Sequence, residues 1–213
     1  MLTVHHLGLS QSERIVWLCE ELGLTYDLKL YERDPVSRFA PPQYLALHPA
    51  GTAPVITDGA LVLAESGAII QYILAKYGAG RLVPAPDSPE FAPYLFWFHY
   101  ANASLQPVLS RNSAMRRLDP APDHPAVVWA RSRMARSLAM VDARLGVVPY
   151  FAGDTFTAAD IMSVFSLTTM RIFLPYDLTP YPQVLAYLQR IGQRAAYQRT
   201  MQKADPGFTP LLT

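Results

Sequence analysis

The sequence predicts two domains of different class, an α/β domain over residues 1–80 and an all-helical (all-α) domain over residues 91–213. Short β-type runs alternate with a helical pattern only in the first part, whereas the second part holds long apolar helical patterns. Between them, residues 78–90 carry three prolines and two glycines, a composition typical of a linker. We therefore assign residues 81–90 as the linker between the domains.

The composition excludes several classes of function. The chain has 213 residues and 51% hydrophobic content, enough for one large core or two small ones. Its 18 Lys+Arg balance 17 Asp+Glu without a basic run, so we expect no nucleic-acid partner. The single cysteine allows no internal disulfide and suits a reducing cytoplasm. The N-terminus lacks a signal-peptide pattern, and no apolar run approaches the roughly 20 residues of a membrane helix, so we expect no membrane association.

A strand–helix–strand unit opens the chain. Leu2–Leu7 and Tyr26–Tyr31 are predicted strands, and the turn Gly8–Gln11 follows the first of them. The helix between them is predicted from apolar residues at helical spacing, which are Ile15, Leu18, Cys19 and Leu22. Such a unit joins two parallel strands. Residues 32–48 are predicted to be mostly loop, with at most a turn or two of helix.

The next stretch, residues 48–77, predicts a β-hairpin followed by a helix. A strand begins after Pro54, Asp58-Gly59 is a tight-turn signal, and an apolar run then returns the chain. Glu65-Ser66 opens a helix that is expected to end near Gly78. A βαβ unit followed by a ββα unit is a thioredoxin-like layout.

Two features of this stretch suit a peptide-like ligand. If the peptide bond of Pro54 is cis, the Val55 backbone turns outward as an edge for pairing. Glu65 and Ser66 lie at a helix N-terminus, where free N–H groups and the helix dipole favour a carboxylate. The Ser66 hydroxyl adds a donor, and the Glu65 carboxylate can take an ammonium group. Glutathione meets these requirements, although an edge proline and a plain helix start would leave the same pattern.

Pro54-Val55 followed by Glu65-Ser66, in a chain of this length, resembles the cytosolic glutathione S-transferase superfamily. The resemblance implies that Pro54 is cis, that the Val55 backbone pairs with the cysteine of glutathione, and that Glu65-Ser66 holds the γ-glutamyl end. It covers nearly the whole chain and implies glutathione as co-substrate, a small-molecule electrophile, a homodimer and no metal. The residues it assigns to glutathione binding are Thr52, Ala53, Pro54, Val55, Glu65, Ser66 and Arg38.

The first turn holds the candidate catalytic residue. A free thiol has a pKa of about 8.5, so only a few per cent is thiolate at neutral pH, and a hydroxyl at a helix N-terminus favours the thiolate. Ser10 stands four residues before Arg14, as the active serine does in theta-like and related bacterial and fungal transferases, which this run resembles. Ser12 is the competitor, and either serine could be only a helix cap. His5 and His6 lie in the strand and are expected to be structural.

The sequence departs from the theta-like pattern at two positions. Phe39 and Thr52 stand where such members place a histidine and a lysine against the glycyl carboxylate of glutathione. Arg38 could supply the charge instead. Cys19 lies on an apolar helix face and is expected to be a buried thiol, which disfavours chemistry through a mixed disulfide.

Helical patterns continue through the second domain. Three long helices are predicted, over residues 91–117, 124–145 and 182–196. Pro107 is expected to interrupt the first of them. Thr157 with Asp160 forms a variant capping box, which we assign to folding.

The second substrate is expected between the domains, against a mostly apolar wall. The predicted residues are Leu9, Tyr100, Ser104, Leu105, Val108 and Arg111, which could equally be helical core. The predicted function is transfer of glutathione, as a thiolate stabilised by Ser10, to hydrophobic electrophiles in cytoplasmic detoxification. The alternatives are a non-catalytic glutathione- or partner-binding module, which Phe39 and Thr52 favour, and a glutathione-dependent peroxidase.

Overall fold

The structure, a computed structural model, describes the backbone of residues 1–213 and every side chain except that of Arg116. The chain forms two compact units, each held by its own internal contacts. The first comprises residues 1–83 and 192–210, and the second comprises residues 84–191 and 211–213.

One mixed sheet forms the centre of the first unit. In the described chain it has the strands β1 (Leu2–Leu7), β2 (Asp27–Tyr31), β3 (Val55–Asp58) and β4 (Leu61–Ala64), in the order β2-β1-β3-β4. β1 pairs parallel with β2, whereas β3 pairs antiparallel with both β1 and β4. The parallel β1–β2 pair and the antiparallel β3–β4 hairpin confirm the predicted thioredoxin-like layout.

The helices complete the predicted fold class. In chain order they are α1 (Glu13–Leu22), α2 (Pro42–Leu45), α3 (Ser66–Tyr77), α4 (Phe91–Tyr100), α5 (Gln106–Arg117), α6 (Pro125–Leu145), α7 (Ala158–Leu167), α8 (Met170–Phe173), α9 (Pro182–Gly192) and α10 (Ala195–Ala204). The described part of the second unit contains helices and no strand, so a helical domain follows the thioredoxin-like one, as predicted. Among the described helices, none combines the length and hydropathy that a membrane crossing needs.

The predicted helix over residues 182–196 is wrong in its extent. α9 ends at Gly192, and a separate helix, α10, begins at Ala195. Arg194 between them has an extended backbone, with φ −73° and ψ 121°, which interrupts the helical path. Glycine is about 1 kcal/mol less favourable than alanine inside a helix, so a helix end at Gly192 has a local cause.

Ion pairs and an aromatic contact join α10 to α1 in the first unit. The Glu20 carboxylate accepts from Arg199 Nε at 3.0 Å and from Lys203 Nζ at 2.6 Å. The Trp17 ring packs edge-on against the Tyr197 ring, with centroids 4.9 Å apart. A helix near residue 200 therefore belongs to the core of the thioredoxin-like unit, which no pattern in the sequence predicts.

The interruption expected at Pro107 takes the form of a π-helical turn over Ala101–Leu105, between α4 and α5. Proline has no N–H for the carbonyl four residues earlier, and its ring would clash with that carbonyl. A widened turn just before Pro107 accommodates both effects.

The capping box at the start of α7 is confirmed. Asp160 accepts the Thr157 N–H at 2.9 Å, while the Thr157 hydroxyl accepts the Ala159 N–H at 3.3 Å. The same carboxylate accepts the Phe151 N–H and the Tyr187 hydroxyl, each at 3.0 Å. Asp160 therefore ties the start of α7 to the preceding loop and to α9.

Candidate active site

The turn between β1 and α1 presents Ser10 just before the first helix. Ser10 is nearly buried, and the Glu13 N–H donates to its carbonyl at 3.1 Å, which starts the helical path. Leu9 has φ +51°, a left-handed conformation that costs energy for a residue other than glycine. Such a conformation persists only where the surroundings hold it.

Three hydrogen bonds hold this turn. The Gly8 N–H donates to the Tyr31 carbonyl at 3.0 Å, at the end of β2. The Gly8 carbonyl accepts from Arg33 Nε at 2.8 Å, and the Leu9 N–H donates to Asp205 Oδ1 at 2.8 Å. Residues from β2, from the loop after it and from the segment after α10 therefore fix the backbone that carries Ser10.

The two serines of the turn differ in what they can reach. Their hydroxyl oxygens are 2.7 Å apart, and the Ser12 N–H donates to Ser10 Oγ at 3.2 Å. Ser12 is fully buried, with its Oγ 2.9 Å from His6 Nδ1 and 3.1 Å from the Leu7 N–H that donates to it. The Ser12 hydroxyl is thus satisfied inside the protein, whereas Ser10 keeps 5% of its surface exposed.

His6, which the sequence assigns a structural role, connects this turn to Asp205. Its Nδ1 faces Ser12, and its Nε2 lies 3.2 Å from Asp205 Oδ2. Asp205 contacts a turn 196 residues away in the chain, so no local pattern could have placed it here. The only sequence signal for His6 is its position in a strand that leads directly into the turn.

The structure around Pro54 confirms one sequence-based prediction and contradicts another. The Ala53–Pro54 peptide bond is cis, as the resemblance implies. Val55, however, pairs with His5 of β1 and with Ala64 of β4. The predicted free pairing edge at Val55 is therefore wrong, because a residue between two strands has no open edge. Ala53 precedes the strand, so its backbone lies outside this ladder.

The start of α3 lies next to a buried cation. Glu65 is exposed, with φ +71°, and Ser66 is buried at the first position of the helix. Arg14 Nη1 donates to Gln11 Oε1 at 2.6 Å and to Ser66 Oγ at 3.4 Å. Burial lowers the pKa of Arg14 to about 9. The guanidinium and the N–H groups of the helix start together favour an anionic group beside Ser66.

A cavity of about 360 Å³ adjoins the Ser10 turn within the first unit. Its lining includes Leu9, His6, Arg33, Arg38 and Phe208. Burial and the neighbouring cation of Arg38 lower the pKa of Arg33. The carboxylates of Glu32 and Asp205 line the same cavity, so each guanidinium has an acidic side chain in the same lining, and a ligand carboxylate would compete with these for the arginines. Arg33 has no distinguishing signal in the sequence.

The two positions that depart from the theta-like pattern offer no charge in the structure either. Phe39 is 74% exposed, and Thr52 is exposed as well. Arg38, the predicted substitute, lies on the cavity, and its carbonyl accepts from Arg33 Nη1 at 3.0 Å. The structure therefore adds Arg33 to the candidates for binding a carboxylate.

Comparison with known proteins agrees with this geometry. The family described as the N-terminal domain of glutathione S-transferase matches residues 5–81, and the one described as its C-terminal domain matches residues 96–195. The chain belongs to the glutathione S-transferase family. It is 30% identical over 229 residues to glutathione S-transferase 3 of Schizosaccharomyces pombe, covering 100% of this chain and 92% of that protein.

Solved structures of other glutathione S-transferases have the same fold. That of a glutathione S-transferase from Actinobacillus pleuropneumoniae is 32% identical with a TM-score of 0.88, covering 96% of this chain and 93% of that one. A ternary complex of BphK, a bacterial glutathione S-transferase, is 26% identical with a TM-score of 0.74, covering 94% and 98% of the two chains.

The residues predicted for the second substrate of this glutathione S-transferase lie in both units. Leu9 lies on the cavity in the first unit. In the second unit Tyr100 and Ser104 are half-buried, Leu105 and Val108 are buried, and Arg111 is exposed. Burial of Leu105 and Val108 is what core side chains show, so the assignment of this set to substrate binding stays a prediction.

The cysteine of this glutathione S-transferase is buried, as predicted. Cys19 lies on the inner face of α1, and burial raises the pKa of its thiol to about 12. A thiol with so high a pKa is a poor nucleophile at neutral pH.

Proposed function

We propose that this protein joins glutathione to hydrophobic electrophiles, with the Ser10 hydroxyl donating a hydrogen bond to the glutathione thiolate. The observation that carries the proposal is the fixed position of Ser10 before α1, in a turn whose residues Gly8 and Leu9 line a cavity together with Arg33 and Arg38. Ser12 supports the choice of Ser10, because its own hydroxyl is already enclosed by Ser10, His6 and Leu7.

The same site offers groups for both ends of glutathione. Ser66 and Glu65 at the start of α3, with Arg14 behind Ser66, suit the α-amino acid of the γ-glutamyl end. Arg33 and Arg38 on the cavity suit the glycyl carboxylate, in place of Phe39 and Thr52. A cytoplasmic location, a homodimer and a role in detoxification are part of this proposal and rest on the family resemblance.

Phe39 and Thr52 favour a second candidate function, a glutathione- or partner-binding module without transferase activity. The two candidates differ in whether bound glutathione becomes a thiolate. Turnover of an organic hydroperoxide, compared with an aryl chloride, separates the peroxidase alternative from conjugation.

The test combines calorimetric titration with glutathione and an ultraviolet scan for the thiolate band at neutral pH. We expect binding with a band, and we expect Ser10→Ala to lower kcat about 10- to 100-fold while the Kd changes by less than about threefold. One hydrogen bond to a charged group is worth about 1.5–3 kcal/mol, which sets this range. Binding without the band would support the non-catalytic module.

Ser163→Ala is the matched control. Ser163 is a buried serine of α7 whose hydroxyl donates to the Ala159 carbonyl of its own helix at 2.8 Å. The control is expected to keep both the thiolate band and the turnover. Equal turnover in Ser10→Ala and wild type would refute the role of Ser10.

A further inference from the structure

Four buried side chains form a continuous line of polar contacts behind the surface of the Ser10 turn. Ser10 Oγ lies 2.7 Å from Ser12 Oγ, and Ser12 Oγ lies 2.9 Å from His6 Nδ1. His6 Nε2 lies 3.2 Å from Asp205 Oδ2. The exposed fractions of Ser10, Ser12, His6 and Asp205 are 5%, 0%, 1% and 7%. An imidazole and a carboxylate are therefore connected, through the Ser12 hydroxyl, to the side chain proposed to meet the glutathione thiol.

The number of hydrogen bonds that Ser12 can donate and accept determines how protons can be arranged along this line. Ser12 Oγ accepts the Leu7 N–H, which leaves it one lone pair and one proton. His6 Nε2 and Asp205 Oδ2 lie 3.2 Å apart without the geometry of a hydrogen bond, and the charge of the carboxylate favours a proton on Nε2, so Nδ1 of a neutral His6 is an acceptor. Ser12 then donates to Nδ1 and can accept from Ser10. The Leu7 carbonyl, at 3.4 Å, is a more distant acceptor than Nδ1.

We propose that Ser10, Ser12 and His6 form a relay that takes up the thiol proton of glutathione. The inference rests on the proposed function, in which Ser10 contacts the thiol. The S–H bond breaks and its electron pair stays on sulfur. Ser10 Oγ takes this proton and passes its own to Ser12, which passes its own to His6 Nδ1. The products are a thiolate and an imidazolium, and the donors now run from His6 through Ser12 and Ser10 to the sulfur.

Asp205 is the positioning residue of this relay. Its Oδ2 faces the imidazole, so the proton that arrives at Nδ1 produces an ion pair within the buried site. Its Oδ1 accepts the Leu9 N–H at 2.8 Å, so the same carboxylate fixes the backbone before Ser10. A lone serine donor would stabilise the thiolate but leave the thiol proton to the solvent.

Other charged groups around His6 come from the elements that surround it. Glu32, Arg33 and Arg38, from the end of β2 and the loop after it, line the same cavity as His6. Glu13 and Arg14 of α1 are buried and follow Ser12 in the chain. The arginines oppose an imidazolium and the carboxylates favour it. Asp205 is in direct contact with the ring, its Oδ2 lying 3.2 Å from Nε2.

The test counts the protons released when glutathione binds in weakly buffered solution near neutral pH. S-methylglutathione, which has no thiol proton, is the reference ligand. The wild-type protein should show the thiolate band and yet release no more protons with glutathione than with S-methylglutathione, because His6 keeps the thiol proton.

Two small substitutions block the relay in different ways. In Asp205→Asn the amide oxygen still accepts the Leu9 N–H, but the amide NH₂ now faces His6 Nε2. Nε2 must then act as an acceptor, so the proton of the neutral imidazole lies on Nδ1, which can no longer take up the thiol proton. We expect this variant to form the thiolate while releasing about one extra proton per site. Ser12→Ala breaks the line, and the thiolate band near pH 6.5 should fall about 5- to 10-fold, the effect of a rise of about one unit in the thiol pKa.

His5→Gln is the matched control. His5 is the adjacent buried histidine of β1, but its nitrogens face the Tyr31 hydroxyl at 3.0 Å and the Thr57 hydroxyl at 3.3 Å. It should behave as wild type in both the proton count and the band. An equal change in His5→Gln and Asp205→Asn would overturn the relay.

The remaining outcomes separate the relay from the proposed function. A wild-type thiolate band accompanied by release of one thiol proton to the solvent would overturn the relay and leave the transferase function standing. Binding without a band, or no binding of glutathione, would overturn the proposed function and the relay together.

Discussion

Loss of the Asp160 carboxylate should be among the most damaging single changes in the second unit. Asp160 accepts the backbone N–H groups of Phe151 and Thr157 and the hydroxyls of Tyr187 and Thr157. It is fully buried, and Phe151 and Tyr187 are fully buried too. Asp160→Ala therefore removes the acceptor of four donors, three of which, the two N–H groups and the Tyr187 hydroxyl, make the shorter bonds of 2.9–3.0 Å.

The expected cost follows from those three donors. Each buried group left without a partner costs about 1–3 kcal/mol. The variant also relieves the burial of a charged carboxylate, so we expect the lower half of the sum, about 3–6 kcal/mol of unfolding free energy. Thr157→Ala removes only the capping hydroxyl and should cost about 1 kcal/mol.

Urea unfolding at 25 °C, followed by circular dichroism and tryptophan fluorescence, measures these differences. Trp97 packs against Phe151 with ring centroids 5.0 Å apart, so fluorescence reports on the region that Asp160 holds. Asp123→Ala, in the exposed loop before α6, is the control and should stay within about 0.5 kcal/mol of wild type. A loss for Asp160→Ala no larger than that for Thr157→Ala would refute the reasoning.

Two further predictions concern the first unit. Burial raises the pKa of the Cys19 thiol to about 12. A disulfide reagent at pH 8 should therefore leave this thiol unmodified in the native protein and label it only in urea. Rapid labelling of the native protein would contradict this. Hydrogen bonds from Lys76 and Tyr77 hold the pKa of the Asp58 carboxyl below its usual range. These bonds therefore stabilise the folded state fully above the unfolded-state pKa of about 3.9. The stabilisation is lost as the pH falls from there through the lower folded-state pKa. Asp58→Asn should therefore lower the unfolding free energy by about 1 kcal/mol at pH 7, and the difference should shrink below about pH 4. Urea midpoints across this pH range test the idea, which a pH-independent difference would contradict.

Local patterns predicted much of the fold because their causes are local. Alternation and helical spacing identified the βαβ unit, and Asp58-Gly59 identified the hairpin. The capping box at Thr157 and Asp160 needs only four consecutive residues. The helix start after a strand is visible in the sequence, but the choice of Ser10 over a plain helix cap rests on the family resemblance and stays a prediction. In each case the interacting residues are neighbours in the chain.

The parts that failed depend on distant segments. The open edge expected at Val55 is closed by β1 and β4, whose pairing a single stretch does not reveal. The contacts of His6 with Asp205 and of Arg33 with Gly8 likewise join segments that are far apart in the chain. The end of α9 at Gly192 is decided partly by the docking of α10 onto α1. Tertiary contacts, rather than residue preferences, set these features.

The position of Asp205 also has a consequence for synthesis on the ribosome. The sheet and α1 to α3 lie within residues 1–83, but the carboxylate that binds Leu9 and faces His6 comes from residue 205. At about 5–20 residues per second, translation of the roughly 120 intervening residues takes about 6–24 s. For that time a nascent chain can hold the strands of its first unit but lacks the carboxylate that binds the Leu9 N–H, so the turn between β1 and α1 gains this contact only after residue 205 has been made.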